Sequence, residues 1–566
     1  MTLKEKWNSG AKLRLLGAVL LNALVLACIL AFITPGFESN DDQTLAAFVD
    51  GQMSVKDAHI PYMNYVLTNL LKGLYLLGDT LPWFTILQYV LLFAGFTALT
   101  LIMFERLRAW QGAVLTVMAL VLIGVDSYTC ISYTKTAAVC TIAGLALMLH
   151  AMEFRAKGRR ALPVILGGVL AIFGAMLRFM EFLPCAALMS VLGLRYIWGV
   201  LADKGIEKKL AAIVCYALPF AAVLAIAAGL YAYDGAVWSR GEWGTYRRFD
   251  DSRIAMSDYG IPAYEEIPET YDSLGLSETA VEVLQSWNFY DPDLFNKETM
   301  DAITAARDVA KPAPSLGECL GKLLDTCTVR FFEHQAVYLL LIVFALWLAC
   351  GEHYLRGWFT FALELGMFCV FYLYLIRRGR YLVDRVDMGL FMAVITVLIW
   401  TLKKEFFNKE RVLSVLLLLC ALFTSYMYSR TDYRFGSHSM AEDKSELKQA
   451  VNTLLTDNDC LYLCKVDPLD KAIYSAFETP PDGYWDRIVI IGGWLTQNPI
   501  VARTMADYGI VNPYRDIVGK DNVFIIDDDI DLTIRFINEY YDPDASAELV
   551  EPLSSETGLE IYRITG

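Results

Sequence analysis

Residues 13–36, LRLLGAVLLNALVLACILAFITPG, are followed after one residue by residues 38–48, ESNDDQTLAAF. The first run reaches the ~20 apolar residues that a ~30 Å hydrocarbon core requires. It is too long for a cleaved signal peptide, and FITPGF lacks a small-residue cleavage site. The second run places Glu38, Asn40, Asp41 and Asp42 where the chain leaves the membrane. Two roles are open to them. An Asp caps the next helix, QTLAAFVDG, or a carboxylate does chemistry at the membrane surface.

The rest of the chain follows the first run. Of 566 residues, 56% are hydrophobic, and the mean hydropathy is +0.41. Apolar runs predict spans at 13–33, 82–104, 109–125, 134–152, 161–177, 183–201, 210–232, 335–350, 357–376, 386–402 and 411–428. With the N-terminus inside, the inner turns hold 18 basic residues, from Lys4 to Arg411, against eight acids. That is the bias of cytoplasmic loops. The expectation is a multi-pass protein of the cell membrane, N-terminus cytoplasmic and C-terminus extracytoplasmic. Residues 59–78, HIPYMNYVLTNLLKGLYLLG, are read as an interfacial helix. A twelfth span there would reverse every later loop and put Arg155, Lys157, Arg159 and Arg160 outside.

The expected fold is a polytopic α-helical membrane protein of about 11 transmembrane helices, with an outer helical loop and a C-terminal extracytoplasmic α/β domain. Its parts are an N-terminal transmembrane module, 1–233, with a first outer loop at 34–81; a helical loop, 234–334; a second transmembrane module, 335–429; and the α/β domain, 430–566. Residues 234–333 have net charge −10 and residues 430–566 net −13, a surface that disfavours nucleic acid. LSETAVEVLQSW, capped by Ser277, and NKETMDAITAARDVA read as helices. In the tail, DCLYLCKV, DRIVIIGG, NVFIID and GLEIYRIT read as strands between the helices EDKSELKQAVNTLL and DLTIRFINEYY. IIGGW reads as a tight turn, because no G-x-G-x-x-G accompanies it. The acids of IIDDDID suit a helix N-terminus without a metal. The twelve Cys show neither zinc spacing nor CxxC; most pack as small hydrophobes. No cofactor or metal is expected.

The outer ends of the spans gather polar side chains. After Asp41 and Asp42 come His59, Tyr62 and Asn64; then Asp126, Tyr128, Tyr133 and Lys135; then Arg178 and Glu181; then Arg377, Arg378, Arg380, Tyr381 and Arg385. Six of these are basic residues on the face that Lys and Arg avoid, and a membrane-embedded anion accounts for them. A carboxylate there takes a proton from an acceptor hydroxyl, while arginines hold a lipid phosphate through their planar forks. One base and an anion clamp then suffice for glycosyl transfer. Plainer roles stand beside this one: interfacial anchoring for Arg377–Arg380, an i,i+3 bridge between Arg178 and Glu181, and packing for His59. Glu364, inside the ninth span, calls for a partner or a proton.

The Asp41-Asp42 pair in the first loop, the surface helices before the second span and the number of spans resemble the GT-C superfamily of integral-membrane glycosyltransferases. NDD is similar to the start of GtrII-type bacterial glucosyltransferases. Together with YTKTAA, LRFMEFLP and RRGRYLVDRVD, it also resembles a group of Firmicute membrane proteins of this layout. The resemblance covers roughly residues 10–430. It implies a polyprenyl-phosphate-linked sugar as donor, an envelope glycan or lipid as acceptor, membrane lipids as surroundings, and Asp41 or Asp42 as base. Asn40, His59, Lys135, Arg178, Glu181, Arg377, Arg378, Arg380 and Arg385 are our candidates for substrate binding. The acidic loop 234–333 departs from the family pattern. A transporter or lipid flippase and a non-catalytic envelope scaffold are the competing readings. A transporter concentrates polar groups at the midplane and carries repeats; here most spans are clean.

Overall fold

The structure is a computed structural model that describes residues 10–53, 55–153, 161–380, 382–402, 418, 419, 421, 422, 445–457, 459–465, 474–554 and 558–566. Seven helices among them are long and apolar enough to cross a membrane: Ala11–Phe32, Trp83–Arg106, Ala109–Thr129, Tyr133–Glu153, Phe179–Ala202, Lys209–Trp238 and Leu355–Arg377. Leu316–Phe332 and Gln335–Cys350, bent by 100°, make an eighth if taken as one span. The runs expected at 161–177, 335–350 and 386–402 are helices of 17, 16 and 17 residues. At 1.5 Å per residue these are about 24–26 Å long. Of the expected span 411–428, only 418, 419, 421 and 422 fall within the described residues. The chain is a multi-pass helical membrane protein.

Tyr133–Glu153 is the central helix, packed by Trp83–Arg106, Ala161–Leu177, Phe179–Ala202 and Asp384–Trp400. Its sequence explains the position. TKTAAVCTIAGLA offers small side chains on every face. Where it crosses Ala161–Leu177, a Cβ on Gly144 would lie 2.5 Å from the Gly167 carbonyl oxygen. Helices in lipid gain little from hydrophobic burial, so close backbone contact of this kind holds them together.

The helices end in two different settings. At one end lie polar contacts between short turns: ion pairs of Arg106 with Glu153 at 2.7 Å and of Arg195 with Glu352, and a hydrogen bond between His150 and Glu105 at 2.6 Å. The long hydrophilic stretches meet at the other. The Ala476 carbonyl accepts from Thr85 Oγ1 at 2.6 Å, and the Trp494 carbonyl accepts from the Tyr246 hydroxyl at 2.6 Å. Asn512 Nδ2 donates to Asp291 Oδ1 at 3.0 Å.

Within 59–78 the helix is Tyr65–Leu77, 13 residues. At about 20 Å it is too short to cross the hydrocarbon. It buries Leu67, Leu71 and Tyr75 and exposes Val66, Leu70 and Leu77. The stretch after Trp238 is helical: Gly241–Ser257, Pro268–Leu274, Glu278–Gln285, Lys297–Ala310 and Leu316–Thr328. Ser277 caps the third of these by accepting from Ala280 N.

The C-terminal stretch forms a five-stranded sheet, in the order Ile488–Ile490, Leu461–Cys464, Val523–Asp527, Leu559–Thr565, Ser546–Ser554. The strands are β3 Leu461–Cys464, β4 Ile488–Ile490, β5 Val523–Asp527, β6 Ser546–Ser554 and β7 Leu559–Thr565. β3 runs parallel to β4 and β5; β7 is antiparallel to β5 and β6. β6 and the helix Pro499–Asp507 are elements that the sequence reading did not resolve. In IIDDDID, Asp527 pairs with Lys465 at 2.8 Å, and Asp529 accepts from Leu532 N at the start of Ile530–Tyr540.

Candidate functional site at the Asp41 end of the bundle

A two-residue parallel pairing sets the site. β1, Gly36–Phe37, lies alongside β2, Cys130–Ile131. It brings the start of the helix Asn40–Asp50 against the start of Tyr133–Glu153. Ser39, rather than either Asp, holds the N-cap position, and Asp41 and Asp42 fall in the first turn. Acids there suit the helix dipole, but their carboxylates do more than that.

Successive residues on a helix point about 100° apart, so the two carboxylates part company. Asp42 is fully buried. Its Oδ1 accepts from Tyr133 N at 2.8 Å and its Oδ2 from Ser39 Oγ at 2.9 Å. Burial pushes its carboxyl up to about 7, against the opposing pull of the Tyr133 amide and Arg385. Asp41 keeps 21% of its side chain exposed. Its Oδ1 accepts from Trp494 Nε1 at 2.9 Å, and its Oδ2 lies 3.7 Å from an Arg385 nitrogen. The site thus holds one inward and one accessible carboxylate.

Arg178, the residue before the helix Phe179–Ala202, reaches the same place. It donates to Thr134 Oγ1 and, at 3.3 Å, to the Tyr133 hydroxyl. Its guanidinium sits 5.3 Å from the Tyr133 ring centre. Among the described residues it forms no ion pair with Glu181. That buried carboxylate instead accepts from Cys185 Sγ at 3.5 Å. It nests against Gly389, where a Cβ would lie 2.3 Å from Glu181 Oε1. Tyr62 holds a left-handed backbone, φ 68°, beside Trp494 with ring centres 6.4 Å apart. For a bulky residue that conformation costs of order 1–3 kcal/mol and concentrates at functional sites.

Other candidates lie elsewhere or are committed. Lys135 is buried between Glu38 at 3.0 Å and Asp126 at 2.6 Å. A π-helical turn at Leu120–Gly124 precedes Asp126 in the third span. His59 hydrogen-bonds Asp57 at 2.7 Å and stacks on Trp243 at 4.6 Å. Burial raises the Asp57 carboxyl, but the His59 ring and amide outweigh it and hold Asp57 below its usual range. Arg377, Arg378 and Arg380 are exposed. Arg380 pairs with Asp258 at 3.1 Å, and Arg378 lies 5.6 Å from the Tyr259 ring centre. Asn40 opens the helix. The site therefore brings together Asp41, Asp42, Arg178 and Arg385, and adds Tyr133, Tyr62 and Trp494.

Trp494 was missed as a site residue. It lies in IIGGW, which on its own is a turn; a Trp there carried the only local signal. No family model, curated protein or solved structure matches the chain.

Proposed function

We propose that the protein is a membrane glycosyltransferase of GT-C type. It moves a sugar from a polyprenyl-phosphate donor to an envelope glycan or lipid acceptor at the outer face of the cytoplasmic membrane. In this reading eleven helices cross the membrane, the N-terminus is cytoplasmic, and the sheet of residues 461–565 is extracytoplasmic. The observation that carries it is Asp41: an accessible carboxylate oriented by Trp494 and flanked by Arg385, with Arg178 on the adjoining Tyr133.

Asp41 takes the proton of the acceptor hydroxyl as that oxygen attacks the anomeric carbon. The bond from that carbon to the phosphate oxygen breaks, and polyprenyl phosphate leaves with the electron pair. Arg385 and Arg178 hold its charge, which removes the need for a strong general acid. Asp42 fixes the turn, and Lys135 is spent on Glu38 and Asp126.

The test uses purified protein, radiolabelled polyprenyl-phosphate sugars and envelope extract, with release of polyprenyl phosphate as the readout. Wild type turns over one donor; Asp41→Asn loses about 10²–10⁴-fold, the usual worth of a general base. Equal turnover in both removes the carboxylate from the chemistry. One observation favours a transporter or flippase instead. Glu364, 1% exposed within Leu355–Arg377, has neither carboxylate oxygen hydrogen-bonded among the described residues. Such a group inside a span marks transport paths in other proteins. Lipid movement across liposomes without donor consumption would establish that reading.

A further inference from the structure

Leu316–Thr328 belongs by sequence to the acidic hydrophilic loop, yet its surface is not that of a water-exposed helix. Leu316, Leu320 and Leu324 are 60%, 45% and 66% exposed. Spaced four apart, they fall within about 80° of one another around the helix. Glu318, Lys322 and Asp325 occupy the opposite side. Cys319 and Leu323, between the two, are buried against Leu355–Arg377. Val329 and Phe332, just beyond the helix, extend the exposed apolar strip.

The placement says what covers the strip. Three residues after Phe332 begins the apolar helix Gln335–Cys350, and the two segments meet at 100°. A helix nearly perpendicular to an apolar bundle helix lies along the membrane plane. Its depth is fixed by Phe331, which packs at 6.0 Å on Phe368 and 5.0 Å on Tyr372. Those residues stand one to three turns below Arg377, at the end of their helix. Arg330, between the strip and the bundle, is anchored to Asp384 and Asp387, both at 2.9 Å.

We infer that Leu316–Thr328 is an in-plane membrane helix whose partner is the lipid bilayer. Leu316, Leu320 and Leu324 enter the acyl region; Glu318, Lys322 and Asp325 face the headgroups and water. This is the geometry of interfacial amphipathic helices, whose apolar face sinks about 5–10 Å into the headgroup boundary. It rests on the multi-pass character of the chain and is independent of the glycosyl-transfer reading.

The test is carbene labelling of the full chain in phosphatidylethanolamine–phosphatidylglycerol liposomes with a lipid-soluble aryl diazirine, mapped by peptide mass spectrometry. Leu365 and Val370, exposed on Leu355–Arg377, report lipid contact; the helix Lys297–Ala310 reports water. The expected result is label on Leu316, Leu320 and Leu324 at the level of Leu365 and Val370, at least tenfold above Lys297–Ala310. Leu320→Asp with Leu324→Asp should cut that label while Val370 keeps its own. Label at Val370 without label on 316–324 overturns the inference. So does protection of 316–324 accompanied by chemical crosslinking of two copies through this strip, which would make a second chain its partner.

Discussion

Asp42 offers its carboxylate to a backbone amide and a hydroxyl inside the protein, and its burial has a measurable consequence. The folded state raises its pKa from 3.8 to about 7. Across that window the folded protein binds more protons than the unfolded chain, so this group's contribution falls as pH rises from about 4 to about 7. Asp42→Asn keeps an acceptor for Tyr133 N and a partner for Ser39. Its melting temperature in detergent should therefore change less with pH over that interval than the wild-type value does; parallel curves would refute the assignment. Arg253 makes a second residue-scale prediction. It pairs with Asp250 at 2.6 Å, and both are buried. Arg253→Leu strands that carboxylate and should destabilise the protein by about 3–5 kcal/mol, read by thermal unfolding. In the sequence, Asp41 and Asp42 look alike. What separates them is a Tyr133 amide 91 positions away and a Trp494 ring 453 positions away, and no local pattern encodes either.

Among elements, the close crossing of Tyr133–Glu153 with Ala161–Leu177 is the most demanding contact. A Cβ on Gly144 would stand 2.5 Å from one backbone atom and 2.6 Å from another of the facing helix. Gly144→Leu should lower the melting temperature in detergent through overpacking of at least ~1–3 kcal/mol. Gly193→Leu, at a position with open space around it, should leave it near wild type. The apolar runs were legible because a helix in lipid needs only length and hydrophobicity. The strand runs of the tail were legible from β-branched and aromatic clusters ending in turn residues. β6 was not: SAELVEPLS carries two charged residues and a proline, and it becomes a strand by pairing with β7 at the sheet edge. The short tie between β1 and β2 leaves no signal either, because two residues set no periodicity.

For the whole molecule, the decisive contact joins the sheet to the first loop. Tyr246 holds the Trp494 carbonyl, and the Trp494 ring holds Asp41. Trp494→Phe keeps a six-membered aromatic ring and removes the N–H with the rest of the indole. A hydrogen bond to a charged group is worth about 1.5–3 kcal/mol, so the melting temperature should fall and, in the proposed enzyme, turnover per folded molecule should drop at least about tenfold. Unchanged turnover would detach the sheet from the chemistry. Charge balance made the gathering of the hydrophilic stretches at one end legible. It said nothing of which side chain crosses between them.

The distance along the chain from Asp41 to Trp494 also sets a clock. Ribosomes add about 5–20 residues per second, so the 453 positions that separate the two take roughly 20–90 s to synthesise. Throughout that interval the first loop is already made and its carboxylate lacks the indole that orients it. A nascent chain therefore lacks the assembled site while it is being threaded into the bilayer. The candidate site is complete only when its last-made part docks.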